Sequence, residues 1–189
     1  MDFSKVDAFL NRFVNYEVLP GFGFAQSGYD LSHIRELLRR LGNPHLGPLT
    51  VHVAGSKGKG SVATTVAGAL SSCGLATGLY TSPHLRHLGE RIRVDGDCAT
   101  PADLERGVDV LRPPLEAMKA EGSWRTFTYF ELLTVIAFLH FRWRGVDAQV
   151  IEVGLGGRLD ATNIVTPLAS VITNIGPAHL EGLGSMEGV

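Results

Sequence analysis

Glycines and lysines lie close together in a short turn that follows an apolar stretch and precedes a helical pattern. Such glycines let the backbone turn tightly, so that successive N–H groups face one anion at the positive end of the following helix. Lys59 adds a mobile cationic donor, and a triphosphate is the natural ligand. The strict Walker spacing asks for a glycine where Val53 stands, so the turn predicts either a phosphate-binding loop or an ordinary strand-to-helix turn. We call it the glycine loop; its residues are Gly55, Ser56, Lys57, Gly58, Lys59, Gly60 and Ser61.

Polar side chains also follow three other predicted strands. Ser82, Glu152 and His179 all fall near strand ends, and ligands of an open parallel sheet bind beyond the carboxyl ends of its strands. A triphosphate is bound with magnesium, which prefers oxygen ligands such as those of Ser82 and Glu152. The alternatives are that Ser82 begins a turn beside Pro83, that Glu152 reaches solvent, and that His179 is structural. A carboxylate inside an apolar strand would be costly to bury unpaired, which favours a functional role for Glu152.

The elements that must position these residues follow from hydrophobic periodicity. Strands alternate with helices, so we expect an α/β fold with a doubly wound, mainly parallel sheet. The predicted strands are 49–54, 76–80, 147–153 and 168–172, and the predicted helices are 3–13, 31–41, 62–73, one that begins at 101, and 132–143.

Four details of this organisation are open to test. Pro113 and Pro114 should interrupt the helix that begins at 101. The two last strands are continuously apolar and should be covered on both faces. Residues 20–24 form either an ordinary interhelix loop or a flexible cover over a ligand. The helix after the glycine loop should bury one face, formed by Val62, Val66, Ala69, Leu70 and Cys73.

The composition is that of a globular protein that acts on small molecules. The chain has 189 residues, 44% of them hydrophobic and 19% charged, with a formal net charge of -2. Nothing in this balance indicates a nucleic-acid or membrane-surface partner. Cys73 and Cys98 are the only cysteines and form no CxxC motif, which suits a reducing compartment. The sequence begins without a signal-peptide pattern and holds no apolar run of about 18 residues, so we expect a cytoplasmic protein.

Seven motifs occur in an order and spacing that chance explains poorly. They are residues 41–44, 52–61, 81–85, 90–92, 130–134, 152–163 and 175–179. Together they resemble the folylpolyglutamate synthase and dihydrofolate synthase family, a branch of the Mur ligase superfamily. The resemblance covers nearly the whole chain and implies a P-loop-type ATPase core like the Mur ligase central domain.

The resemblance also implies an activity. Ligases of this family use ATP to convert a folate or dihydropteroate carboxylate into an acyl phosphate and then join it to the amine of L-glutamate. ATP and Mg²⁺ are the implied cofactors. The residues that the resemblance assigns are Lys59, Glu152 and His179 as catalytic groups, residues 55–61 for ATP, Ser82, Glu152 and His179 for metal ions, and Pro83, His84 and Arg91 for the substrate. The alternative for residues 83–93 is a solvated polar loop that does not contact the substrate.

The sequence departs from the family pattern in places. Ser56 and Lys57 replace the usual threonine and asparagine, and residues 176–182 look closer to other Mur ligases. The family also carries a lysine beyond the histidine motif, whereas no lysine follows Lys119 here.

We therefore expect the N-terminal portion of a ligase. Residues 1–189 would form a single, incomplete ATP-binding domain, with a helical segment at 1–48, an α/β core at 49–189 and no C-terminal ligase domain. Such a chain would be inactive in isolation and monomeric when full length. The alternatives are another Mur-type ligase, a non-catalytic nucleotide-binding fragment, and a phosphotransferase that uses the same loop.

Overall fold

A mixed sheet with helices on both faces carries the candidate residues. The computed structural model describes residues 1–16, 30–122 and 127–176. The connection at 20–24 and His179 lie outside these residues. The helices are α1 Ser4–Leu10, α2 Ser32–Arg40, α3 Lys59–Ser72, α4 Pro101–Ala120 and α5 Tyr129–Arg144; the strands are β1 Leu49–Ala54, β2 Thr77–Tyr80, β3 Ile92–Val94, β4 Asp97–Cys98, β5 Ala148–Glu152 and β6 Ala169–Ile172.

The strand order is β4-β3-β2-β5-β1-β6. Strands β2, β5, β1 and β6 are parallel, whereas β3 and β4 run antiparallel to their neighbours. Val53 near the end of β1 lies opposite Glu152 on one side and Val171 on the other. The carboxyl ends of β1, β5 and β6 therefore meet at one edge, and the predicted α/β fold with a mainly parallel sheet is confirmed.

Alternation along the strands divides the core between the two faces of the sheet. Val53, Leu79 and Val150 pack against Ala63 and Ala67 of α3 in one hydrophobic cluster. The residues that follow Leu79 and Val150 point to the other face, where they join the larger core built by α1, α2, α4 and α5. Both faces of the central strands are thus covered, as a doubly wound sheet requires.

Helix α5 is buried along most of its length, as its apolar sequence predicts. Its first turn is fixed by a capping box, in which Thr128 Oγ1 accepts from the Glu131 N–H at 3.1 Å and Glu131 Oε2 accepts from the Thr128 N–H at 2.8 Å. Gly145 ends the helix in the left-handed conformation, with φ of 60°. Strand β5 follows directly, so α5 sets where Glu152 emerges.

The short antiparallel strands β3 and β4 were not predicted. Asp95 and Gly96 connect them with φ values of 52° and 90°. An Asp-Gly pair between two strands favours a type I′ hairpin turn, since both central residues of that turn need positive φ. The sequence therefore held the signal for this hairpin.

The prediction that two prolines interrupt α4 is wrong, because Pro113 and Pro114 lie inside one continuous helix. A proline cannot donate to the carbonyl four residues earlier, so the carbonyls of Asp109 and Val110 lose their usual donors. Both residues lie on the exposed face of α4, where water can take the donor role. The opposite face is buried, with Leu111 fully enclosed, and this packing stabilises the helix across the prolines.

The buried face of α3 differs from the predicted one. Ala63 and Ala67 are buried, while Ala69 and Cys73 are exposed. The small alanines let α3 lie close on the sheet, and the larger predicted residues Val62, Val66 and Leu70 flank them as partly buried neighbours.

Strand β6 is not covered on both faces as its apolar sequence suggested. Three of its four residues are exposed, and Ile172 exposes 65% of its surface. In the described part of the chain β6 pairs with β1 alone. The expectation of a fully covered strand is therefore wrong for β6 and correct for β5, whose residues are all buried.

Candidate functional site

The glycine loop connects β1 to α3 at the carboxyl edge of the sheet. Gly55 and Gly58 adopt φ values of 133° and 80°, which side chains other than glycine rarely tolerate. Gly58 is the N-cap of α3 and no side chain caps this helix. The first N–H groups of any α-helix lack an intrahelical acceptor, so the loop presents backbone donors at the positive end of a 14-residue helix. This is the local geometry of an anion-binding loop.

Lys59 begins α3, and its ammonium stays over the loop. Lys59 Nζ donates to the carbonyl oxygen of Gly55 at 2.9 Å. The side chain therefore folds back across the turn and places its charge beside the N–H groups of the helix end. An incoming anion would offer Lys59 a stronger, charge-assisted partner than this neutral carbonyl.

Ser82 and Glu152 meet next to the same helix end. Glu152 is the last residue of β5 and is only 4% exposed, and its Oε2 accepts from the Ser82 N–H at 3.0 Å. A Cβ atom added at Gly60 would lie 3.5 Å from Glu152 Oε2, so the carboxylate sits against the first turn of α3. The ends of β2 and β5 are thus brought together with the glycine loop, as the sequence predicts.

The electrostatics of Glu152 suit a site that receives a cation. Burial raises the pKa of its carboxyl group, while the Ser82 N–H and the positive charge of Lys59 act in the opposite direction. A divalent cation would favour the ionised form much more strongly. The oxygens of Glu152 and Ser82 are the hard donors that magnesium prefers, so this donor set fits the ion. Among the described residues no group of three His, Cys, Asp or Glu side chains could hold a metal, so the fit rests on this pair and on water or ligand oxygens.

The segment after β6 holds the glycine loop in place, a role that sequence reasoning missed. Ser56 N–H donates to the Asn174 carbonyl at 2.9 Å, and the Ser56 hydroxyl donates to the Gly176 carbonyl at 2.8 Å. Asn174 also bonds both backbone groups of Lys57. The sequence places Asn174 after a strand but gives no sign of its partner, because the contact depends on β1 and β6 lying side by side.

Ser56 and Lys57 therefore contribute to the loop differently from the residues after them. Their N–H groups are engaged by Asn174, and the Lys57 side chain is exposed. The lysine at this position therefore leaves the contacts between Asn174 and the loop backbone in place.

The predicted substrate segment is an ordered structure and not a loosely solvated loop. Arg91 is 3% exposed, its Nε donates to His84 Nδ1 at 2.9 Å, and its guanidinium lies 5.8 Å from the centre of the Tyr129 ring. Because arginine only donates, His84 Nδ1 must be the unprotonated nitrogen. Pro83 follows a cis peptide bond and is exposed. Glu90 accepts from two N–H groups of the same segment, which fixes its turn.

A buried carboxylate supports the glycine-rich turn that follows Glu152. Asp160 accepts from the N–H groups of Leu155 and Thr162 at 2.8 and 2.9 Å, and burial raises the pKa of its carboxyl group. Thr162 Oγ1 lies 2.8 Å from His52 Nε2 on β1. Burial lowers the pKa of His52, so this pair ties the turn to the sheet without a charged histidine.

The structure thus brings together Lys59, Ser82, Glu152 and the glycine loop, and places His84 and Arg91 on the segment that leaves Ser82. The structure says nothing of His179, which lies outside the described residues. Asn174 and Asp160 are the additional residues that shape the site. The fold and this edge define a class of protein, the α/β domains with a phosphate-binding loop between a central strand and a helix.

The comparison with known families agrees with this class. Residues 53–189 match the Mur ligase middle domain. The match covers more than half of the sequence, so the chain belongs to the Mur ligase middle domain family. The resemblance to this superfamily is confirmed.

Two relatives belong to the folylpolyglutamate synthase and dihydrofolate synthase branch of this superfamily. The chain is 37% identical over 184 residues to the folylpolyglutamate synthase of Lacticaseibacillus casei, a match that covers 97% of this chain and 41% of that protein. It is 38% identical over 173 residues to the dihydrofolate synthase/folylpolyglutamate synthase of Bacillus subtilis, covering 91% of this chain and 38% of that protein. The chain therefore spans about two fifths of the length of these relatives.

A solved structure shows the same fold. The structure described as an FPGS-AMPPCP-folate complex matches with a TM-score of 0.86 and 36% sequence identity, covering 100% of this chain and 44% of that one.

Proposed function

We propose that this chain is the ATP-binding part of an ATP-dependent ligase that adds L-glutamate to the carboxylate of a folate or dihydropteroate. The observation that carries the proposal is the meeting of Lys59, Ser82 and Glu152 at one end of α3. Its support from outside the chain is that relatives are named folylpolyglutamate synthase and dihydrofolate synthase, and that one solved relative is a complex with AMPPCP and folate.

The glycine loop would hold the phosphate chain of ATP. The N–H groups of residues 58–61 and the ammonium of Lys59 would meet the β and γ phosphates. Ser56 and Lys57 would act through their ties to Asn174, which keep the turn in shape. These roles differ because the N–H groups at the start of α3 have no side-chain cap, whereas those of Ser56 and Lys57 already donate to Asn174.

Ser82 and Glu152 would hold magnesium through oxygen atoms. The bound ion supplies charge neutralisation for the phosphate oxygens. Glu152 is positioned for this by the Ser82 N–H and by the packing of α3 against its carboxylate. His179 is proposed as a ligand of a further metal ion, on the resemblance alone.

The proposed reaction needs this concentration of positive charge. A carboxylate is a poor electrophile, so one of its oxygens attacks the γ phosphorus of ATP, and ADP leaves. The amine of glutamate then attacks the acyl carbon of the acyl phosphate and loses a proton. The acyl C–O bond breaks, and inorganic phosphate leaves with that electron pair. Lys59 and the loop N–H groups offset the repulsion between two anions that must be held together.

Residues 83–93 are proposed to lie near the folate or dihydropteroate, with Pro83, His84 and Arg91 as the contacts. The buried Arg91 donates to His84 Nδ1, so the His84 ring has a set orientation within this segment. This is the support that the geometry gives to a recognition role.

The organisation of the whole protein belongs to the same proposal. Residues 1–189 would be a single, incomplete ATP-binding domain with a helical part at 1–48 and an α/β core at 49–189. The full-length protein would be monomeric and cytoplasmic, without nucleic-acid or membrane partners. Among the described residues, no helix combines the length and the apolar character that crossing a bilayer requires.

The test is ADP release by the protein produced from its complete reading frame, with ATP, magnesium, glutamate and either dihydropteroate or a reduced folate. We expect release only when both the pterin carboxylate and glutamate are present, together with one new amide per ADP. Release that ignores the pterin substrate would indicate a phosphotransferase or another Mur-type ligase. ATP binding without any release would leave a nucleotide-binding protein and contradict the ligase.

A further inference from the structure

The residues after β6 make an unusual set of contacts with the backbone of the glycine loop. Asn174 Oδ1 accepts from the Lys57 N–H at 3.1 Å, and Asn174 Nδ2 donates to the Lys57 carbonyl at 2.9 Å. The carbonyl of Asn174 accepts from the Ser56 N–H at 2.9 Å. One carboxamide thus satisfies both backbone groups of a single loop residue, as a neighbouring strand would.

Thr173 adds to this contact. Its N–H donates to the Ala54 carbonyl at 3.0 Å, and its hydroxyl donates to the Lys57 carbonyl at 2.7 Å. A Cβ atom at Gly55 would collide with the Thr173 hydroxyl, so glycine at 55 permits the approach. The Ser56 hydroxyl also accepts from the Gly176 N–H at 3.0 Å. Residues 54–57 are therefore held along one side by residues 173–176.

These contacts divide the loop into two parts. The N–H groups of Ser56 and Lys57 are engaged, whereas α3 starts with N–H groups that no side chain caps. A loop with positive φ at both Gly55 and Gly58 has many conformations available in isolation. Ordering it at the moment of binding would cost conformational entropy, and a loop that is already ordered avoids that cost.

We infer that Asn174 is a positioning residue for the glycine loop. It fixes the backbone at Ser56 and Lys57, so that the donors from Gly58 onward and the ammonium of Lys59 face the phosphate chain together. The inference rests on the proposed function, because it assumes that a nucleotide binds this loop. Thr173 assists through the same carbonyl of Lys57.

Asn174→Asp is the sharpest test. Aspartate keeps the size of the side chain and the acceptor for the Lys57 N–H, but it loses the donor and places a carboxylate oxygen against the Lys57 carbonyl. Asn174→Ala removes both bonds without adding charge. Asn11→Asp is the matched control, since Asn11 is exposed at the end of α1 and belongs to no part of the site.

Two readouts separate positioning from general destabilisation. Calorimetry with AMPPCP and magnesium should show at least tenfold weaker binding for both Asn174 variants and unchanged binding for Asn11→Asp. Hydrogen exchange should show that the Lys57 N–H loses protection while the N–H groups of β1 keep theirs.

Three results would overturn the inference. Affinity within twofold of the unmodified protein in both Asn174 variants would show that the loop needs no such support. Weakened binding accompanied by equal loss of protection throughout β1 would assign Asn174 to overall stability. Absence of AMPPCP binding by the unmodified protein would remove the proposed function and this inference with it, which distinguishes that failure from the other two.

Discussion

The two ends of the central strands both bury polar side chains, but they use them differently. At the amino end, Gln149 is fully buried and its Nε2 donates to Thr50 Oγ1 at 2.8 Å and to the His45 carbonyl at 3.0 Å. Asp147 accepts from the Ala76 N–H at 2.9 Å. These hydrogen bonds tie the strand starts to one another and to the preceding loops.

At the carboxyl end the polar groups are held in place but could still bind further hydrogen-bonding or charged partners. The Glu152 carboxylate is positioned by one N–H, the Lys59 ammonium rests on a neutral carbonyl, and α3 starts without a side-chain cap. A buried carboxylate, an ammonium and the uncapped N–H groups of a helix end converge there, whereas the unpartnered atoms at the amino end are neutral, Gln149 Oε1 and His45 Nδ1 among the described residues. Unpartnered buried polar atoms alone therefore do not mark a site, whereas opposite charges that converge on the uncapped start of a helix do.

The largest effect should come from removing the buried charge at the carboxyl end. Glu152→Gln keeps the shape of the side chain but removes the proposed magnesium ligand. We expect magnesium-dependent AMPPCP affinity to fall by at least about 100-fold, since changes next to metal ligands already cost about 10- to 100-fold. The melting temperature should stay level or rise, because the buried charge carries a desolvation cost.

Isothermal titration at several magnesium concentrations measures this effect. Equal magnesium dependence in the variant and the unmodified protein would remove Glu152 from the metal site.

At the amino end we expect a loss of stability without a loss of nucleotide affinity. Gln149→Leu removes the buried bond to Thr50 and leaves the partly buried His45 carbonyl without this donor, which should destabilise the protein by about 1–3 kcal/mol. Urea unfolding measures the loss, and AMPPCP affinity is measured in parallel. We expect affinity to stay unchanged, and a fall in affinity as large as that of Glu152→Gln would abolish the distinction between the two ends.

Acid should destabilise the amino end through His45. Burial lowers the pKa of His45 from its ordinary value of 6.5 to about 4, and the charge of Arg35 acts in the same direction. Between these two values the unfolded chain binds the proton and the folded protein does not, so stability falls as the pH falls.

His45→Gln removes this contribution. We expect the variant to lose less unfolding free energy than the unmodified protein between pH 7 and pH 5, measured by urea unfolding at each pH. Parallel pH profiles for the two proteins would show that His45 does not titrate in this way.

The smallest effect is expected at Lys57. Its backbone is held by Asn174 whatever its side chain, and that side chain is exposed. Lys57→Asn removes one solvated charge near the loop, and exposed charge pairs are worth about 0.2–1 kcal/mol, so AMPPCP affinity should fall by about fivefold or less. A loss as large as that of Glu152→Gln would mean that the Lys57 side chain contacts the phosphates directly.

The positions of the principal strands and helices follow from local patterns, and so do the residues at strand ends. Lys59, Ser82 and Glu152 could be predicted to meet because a parallel sheet aligns the ends of its strands. The role of Asn174 could not, because it depends on contact with Lys57, 117 residues away, whose geometry only the pairing of β1 and β6 creates. Local rules also fail where tertiary packing compensates, as it does for the prolines within α4.

The central claim is that the glycine loop and the strand ends beside it form one magnesium-nucleotide site. Calorimetry of AMPPCP binding with magnesium, on the unmodified protein and on Lys59→Ala, tests it most directly. We expect magnesium-dependent binding by the unmodified protein and a loss of affinity of at least about tenfold in Lys59→Ala, at an unchanged melting temperature, because charge-assisted hydrogen bonds are worth about 1.5–3 kcal/mol. Equal affinity in both proteins, or no binding by either, would contradict it.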